Sequence, residues 1–155
     1  MSSTEIFLDN LKRHLSAKSL RDLAKKINVS EHIVLNWSSC RTSPSIMQIN
    51  EIAYMLGVDC YQLLIPNNEF GVLTPIWKDN IGDTVKKNLG RVKLERGITE
   101  SLFYEKYQRD TGISYRSFLR YVNGQNKNVN LNKLDKLSKL LYVKSYELLK
   151  GENEK

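Results

Sequence analysis

Arg116 and Arg120 stand four residues apart in Ser114-Tyr-Arg-Ser-Phe-Leu-Arg-Tyr121, and Asn123 follows three residues later. On a helix this spacing sets both guanidinium groups on one face, one turn apart. A guanidinium fork matches the O6/N7 edge of guanine, and a carboxamide matches adenine. Tyr115 and Ser117 belong to the same outward set. The loop that follows, Gln125-Asn126-Lys127-Asn128, is polar and suited to phosphate oxygens. An earlier segment offers Glu31, His32, Leu35, Asn36 and Ser39 in the same arrangement. There Asn could pair with adenine, His could donate, and Glu could accept from cytosine, but no positive charge is present. The plainer alternatives are an ordinary solvated face for the second set and a protein-contact surface for the first.

Charge divides the two sets further. The net charge of +7 is unevenly placed: residues 1–70 hold seven Lys/Arg and seven Asp/Glu, whereas residues 71–155 hold seventeen and ten. The whole excess lies in the second half, which points to a polyanionic partner or simply to solubility. Lys86, Lys87, Arg91 and Lys93 could extend that basic surface, or each could merely be solvated. Cys40 and Cys60 are the only cysteines, without CxxC spacing, and are read as reduced thiols, Cys60 as core filler. With only His14 and His32 besides, no metal site is expected. No phosphate loop and no nucleophile–base pair is visible, so neither an enzyme nor a cofactor is expected. No apolar run approaches the roughly 18 residues of a membrane span, and no targeting segment is evident. The expectation is a cytoplasmic protein.

The elements that must position these residues come as a repeat. Ile46, Ile49, Ile52 and Leu56 correspond to Leu131, Leu134, Leu137 and Leu141, and Val58, Tyr61, Leu63 and Leu64 to Val143, Tyr146, Leu148 and Leu149, all at an offset of 85. Upstream, Asn28-Val29-Ser30 corresponds to Gly112-Ile113-Ser114, and Val34 and Trp37 to Phe118 and Tyr121, at an offset of 84. Each copy reads as about five helices, with no alternating strand pattern. In the first copy Ser19, Ser30 and Asp59 are candidate N-caps, and Ser45 with Gln48 a capping box. Ile33, Val34 and Trp37 mark the inner side of the third helix. Between the copies, Pro66 to Pro75 reads as a linker, made unusually apolar by Phe70, Val72, Leu73, Ile76 and Trp77. Trp37, Tyr54, Tyr61, Tyr121 and Tyr146 are read as core or core edge, with stacking on single-stranded bases as the alternative.

Asn28 and Gly112 supply the residue that tolerates positive φ between two helices. Ser30 and Ser114 can cap the helix that follows, freeing its outer face to enter a groove about 12 Å wide. Leu23-Ala24-Lys-Lys-Ile27-Asn28-Val29-Ser30, Val34, Trp37, Pro44-Ser45 and Leu56-Gly57-Val58 together resemble the helix-turn-helix family of the lambdoid phage repressors and Cro. Leu89 to Thr99, Gly112-Ile113-Ser114 and Gly124 carry the likeness in the second copy. Departures are Leu20 in place of a phosphate-contacting Gln, Cys40 and Tyr142 in place of helix-ending glycines, and Glu31 at the start of the reading helix. About four extra residues fall between Thr99 and Gly112, with Gln108 at the position of a small Ala.

The resemblance implies an all-α chain of two tandem five-helix lambda-repressor-like domains. Residues 1–65 would form the first, 66–81 a linker, 82–150 the second, and 151–155 a C-terminal tail. It further implies a sequence-specific regulator of double-stranded DNA, a repressor blocking an operator, acting as a homodimer. The competing class is a protein-interaction module, an antirepressor or adaptor gripping a protein partner through the first domain.

Overall fold

A computed structural model describes residues 1–69, 80–108 and 111–151. The apolar linker residues Phe70 to Trp77 and the tail beyond Gly151 lie outside the described residues.

Local sequence sets nearly every helix boundary. α1 (Ser3–His14) opens on a capping box of Ser2 and Glu5. α2 (Leu20–Ile27) is capped by Ser19 and stops at Asn28, which takes the left-handed conformation with φ 57°. α3 (Glu31–Ser38) is capped by Ser30. α4 (Ile46–Leu56) has the Ser45/Gln48 capping box and ends on left-handed Gly57. A 3₁₀ turn, Cys60–Leu64, follows its Asp59 cap. The order then recurs as α5 (Ile81–Glu95), α6 (Glu100–Leu102), α7 (Tyr115–Val122), α8 (Leu131–Leu141) and a second 3₁₀ turn, Ser145–Leu149. Among the described residues there are eight α-helices and no strand, and no helix is long and apolar enough to cross a membrane.

The extra residues of the second half change its second helix. α6, capped by Thr99, runs directly into a π-helical turn, Phe103–Tyr107. The wider turn carries Phe103, rather than Gln108, into the core. Phe103 is fully buried and stacks on Phe118 with centroids 5.4 Å apart. Gln108, at the position where the resemblance puts a small Ala, is exposed. Two expectations need correction. Ile33 does not join Val34 and Trp37 inside but lies 36% exposed, and Tyr54 is a surface residue at 47%. Both face outward because Val34 and Trp37, and Ile52 and Ala53, already fill the inward positions of their helices.

A shared device ties the first helix of each half to its last turn. Asn10 Nδ2 donates to the carbonyls of Leu63 and Ile65, each at 2.9 Å. Asn88 Nδ2 donates to those of Leu148 (2.8 Å) and Lys150 (2.9 Å). Arg13 and Arg91 in turn donate to the carboxamide oxygens of Asn10 and Asn88. Buried carbonyls at a helix end need such partners.

The halves then meet through equivalent residues. Ile46 N donates to the carbonyl of Val129 (2.8 Å), and Leu131 N to that of Pro44 (2.9 Å). Ser45 and Asn130, the N-caps of α4 and α8, form an isolated antiparallel bridge. Met47 N donates to Asn128 Oδ1 (3.4 Å), and Asn132 N to Ser43 Oγ (3.1 Å). Each bond has its counterpart at the same offset of 85, which is the signature of a two-fold interface. The two 3₁₀ turns pack on each other, α1 on α8, and α4 on α5. Lys150 Nζ sits over the equivalent rings of Tyr61 and Tyr146, 5.3 and 5.4 Å from their centroids. Ser3 donates through N (2.9 Å) and Oγ to the Asp135 carboxylate across the same junction. The buried residues of both halves form one continuous core.

Candidate nucleic-acid interface

Gly112 takes φ 73°, and Ser114 then caps α7, its Oγ accepting from Ser117 N at 3.1 Å. Phe118 is fully buried, and Tyr121 is a half-buried core-edge residue whose phenol burial pushes above its usual range. With that side anchored, Arg116, Arg120 and Asn123 are exposed, as are Gln125, Asn126 and Lys127 of the following loop. The loop is shaped by its backbone, since Gln125 N and Asn126 N donate to the carbonyl of Arg120 at 2.9 and 3.4 Å. Two of the expected residues are less free. Tyr115 is half-buried against Phe103, centroids 5.3 Å apart, and Ser117 Oγ lies 3.1 Å from Ser114 Oγ.

Lys127 is not an isolated cation. Its Nζ lies 3.0 Å from Asp83 on α5. The Asp83 carboxyl is held below its ordinary range, first by the hydrogen bond from Lys127 and then by the charges of Lys127, Lys86 and Lys87. A Cβ on Gly124 would come within 2.8 Å of the Lys86 side chain, so α5 reaches the end of α7. Lys86 and Lys87 thus add their charge to that of Lys127 around one carboxylate, on the helix that packs against α7. Sequence reading missed Asp83, because only the fold brings it to Lys127.

The equivalent face of α3 has different chemistry. Glu31, His32, Leu35 and Ser39 are exposed and Asn36 is half-buried. Asn36 Nδ2 lies 3.3 Å from His32 Nε2, so the two polar side chains of this face engage each other. Arg21 Nε approaches Glu31 at 3.9 Å, with both side chains well exposed. Ile33 and Leu35 add apolar surface.

The sequence of residues 88–154 matches the family described as the Cro/C1-type helix-turn-helix DNA-binding domain. No curated protein and no solved structure matches the chain. Residues 88–154 are therefore a Cro/C1-type helix-turn-helix DNA-binding domain, and α7 and α8 lie within the match.

Proposed function

We propose that this chain is a sequence-specific double-stranded-DNA-binding transcriptional regulator, and that it represses by occupying an operator. The carrying observation is the face of α7: Arg116 and Arg120 are exposed on a helix anchored by Phe118, with Lys127 in the loop that follows and Lys86 and Lys87 on α5, which packs against α7. In this reading Arg116, Arg120 and Asn123 contact base edges, while Gln125, Asn126 and Lys127 lie along the phosphates. Residues 1–65 and 82–150 are two helix-turn-helix units of one lineage, joined by 66–81. Support for the first unit comes from its matching element order and from left-handed Asn28 followed by the Ser30 cap. Glu31, His32, Asn36 and Ser39 are then its base-facing set. The test is a gel shift on selected and random duplex across a salt series, paired with a promoter-reporter assay. Salt-sensitive binding with preference for the selected site, and reporter shut-off, are expected. Absence of duplex binding at low salt would overturn the proposal.

One observation favours a second reading for the first half. Val29, Ile33, Ile52 and Met55 line an open groove between α3 and α4, and Ile33, Leu35 and Met55 are exposed. That surface suits a protein partner, as an antirepressor or adaptor would need. Unchanged DNA affinity in the His32→Ala and Asn36→Ala variants would favour it.

A further inference from the structure

The two-fold that relates the halves has a consequence for the DNA site. Helix-turn-helix repressors meet two half-sites by pairing two reading helices through a symmetric interface, with half-sites one helical turn, about 34 Å, apart. Here an interface of that kind lies within one chain. Its reciprocal bonds, Ile46 N to Val129 O and Leu131 N to Pro44 O, join equivalent segments immediately after α3 and α7. The interface is backed by the packed 3₁₀ turns and by Lys150 between Tyr61 and Tyr146.

Chain connectivity bounds the separation of the two reading helices. The C-cap of α3, Ser39, is six residues from Ser45, and the C-cap of α7, Asn123, is seven from Asn130. A fully extended chain spans at most roughly 3.3–3.6 Å per residue. With the paired N-caps about 5 Å apart, the ends of α3 and α7 lie within roughly 50 Å of each other. Half-sites one turn apart, about 34 Å, fall well inside that bound.

The two faces are equivalent in position and unlike in chemistry. At the offset of 84, His32 corresponds to Arg116, Asn36 to Arg120 and Ser39 to Asn123. A homodimer repeats one face and reads a palindrome. This molecule carries two faces on one two-fold frame.

Resting on the two-unit DNA-binding reading above, we propose that a single chain occupies a single bipartite duplex site with dissimilar half-sites one turn apart. α7 reads a guanine-containing half through Arg116 and Arg120, and α3 reads an adenine-containing half through Asn36 and His32.

The test uses the full chain and duplexes selected from a random pool. Light scattering and native mass spectrometry of the complex should give one chain per duplex. The selected site should hold two different motifs about 10 base pairs apart, centre to centre. Scrambling either motif should weaken binding at least tenfold, and so should inserting half a turn between them. Arg120→Ala should relax preference only in one motif and Asn36→Ala only in the other. Two chains per duplex, a palindromic site, or indifference to scrambling one motif would overturn the proposal while leaving DNA binding intact. No duplex binding at any salt concentration would overturn it together with the function on which it rests.

Discussion

α3 and α7 hold the same place in the two halves, with apolar anchors of different size on their inward sides and opposite chemistry on their outward sides. Inward, Val34 and Trp37 in one and Phe118 and Tyr121 in the other anchor the helix to its core. Each starts at a serine cap and follows a left-handed residue. Outward, α7 offers two arginines and α3 a His–Asn pair, a glutamate and exposed Ile33 and Leu35. The difference teaches that the packing frame tolerates either chemistry, because the outward side chains contribute little to holding the helix in place. The same independence holds in the turns. Four equivalent left-handed positions each have one glycine and one other residue: Ser16 and Gly97, Asn28 and Gly112, Cys40 and Gly124, Gly57 and Tyr142.

The largest expected effect tests the frames. Phe103 at the π turn does for the second half what Leu23 does for the first, since both are fully buried. Phe103→Ala should cost about 3–5 kcal/mol of stability and Leu23→Ala about 2–5 kcal/mol, by denaturant titration. If Phe103→Ala were nearly neutral, the π turn would not be anchored as described.

Next come the faces. Arg116→Ala and Arg120→Ala should each cost about 1–3 kcal/mol of DNA binding and relax preference at one base pair. Lys127→Ala should weaken all sequences alike and lower the salt slope by about one. Because Asp83 already partners Lys127, Asp83→Asn should strengthen binding to every sequence and steepen the salt dependence. Affinity measurements at several salt concentrations check all four variants, and equal affinities throughout would remove α7 as the contact helix.

Smaller effects are expected at the left-handed positions. Cys40→Gly should stabilise the protein by up to about 1 kcal/mol, because a Cβ is disfavoured at φ 63°. Gly124→Ala and Gly57→Ala should destabilise it by about 1–2 kcal/mol. Thermal melts of the three variants check this, and a destabilised Cys40→Gly would break the equivalence of the two turns.

The smallest effect concerns pH. The folded carboxyl of Asp83 titrates below its ordinary range, chiefly through the hydrogen bond from Lys127. Its contribution to stability is therefore present above the unfolded carboxylate pKa and is lost as pH falls through the lower folded value. Asp83→Asn should be slightly less stable than the parent at neutral pH, and the gap should close on acidification. A gap independent of pH would show that the pair does not act through charge.

Much of the fold was legible. Caps at Ser19, Ser30, Ser45, Asp59 and Ser114 and the offsets of 84 and 85 located α2, α3, α4, α7, α8 and both 3₁₀ turns, since caps and apolar spacing act within a few residues. The first helices are also alike, since Asn10-Leu-Lys-Arg13 and Asn88-Leu-Gly-Arg91 match in three of four residues, but they lie outside the offsets of 84 and 85. Their offset is 78 rather than 84, because α5 is three residues longer than α1 and further residues are added between Thr99 and Gly112. At the candidate site, the exposure of Arg116 and Arg120 followed from helical periodicity, whereas the half-burial of Tyr115 depended on Phe103, brought in by the π turn.

By itself the sequence determined the helices, their ends, the repeated α3/α7 frame and the concentration of positive charge in the second half. All of these follow from interactions between near neighbours or from composition. Only the tertiary structure decided that the halves close on each other about a two-fold, that Ser45 bridges Asn130, that Ser3 meets Asp135 and that Asp83 answers Lys127. These contacts join residues far apart in the chain. Their partners are chosen by which faces remain unburied once each half has packed, and no local spacing records that choice.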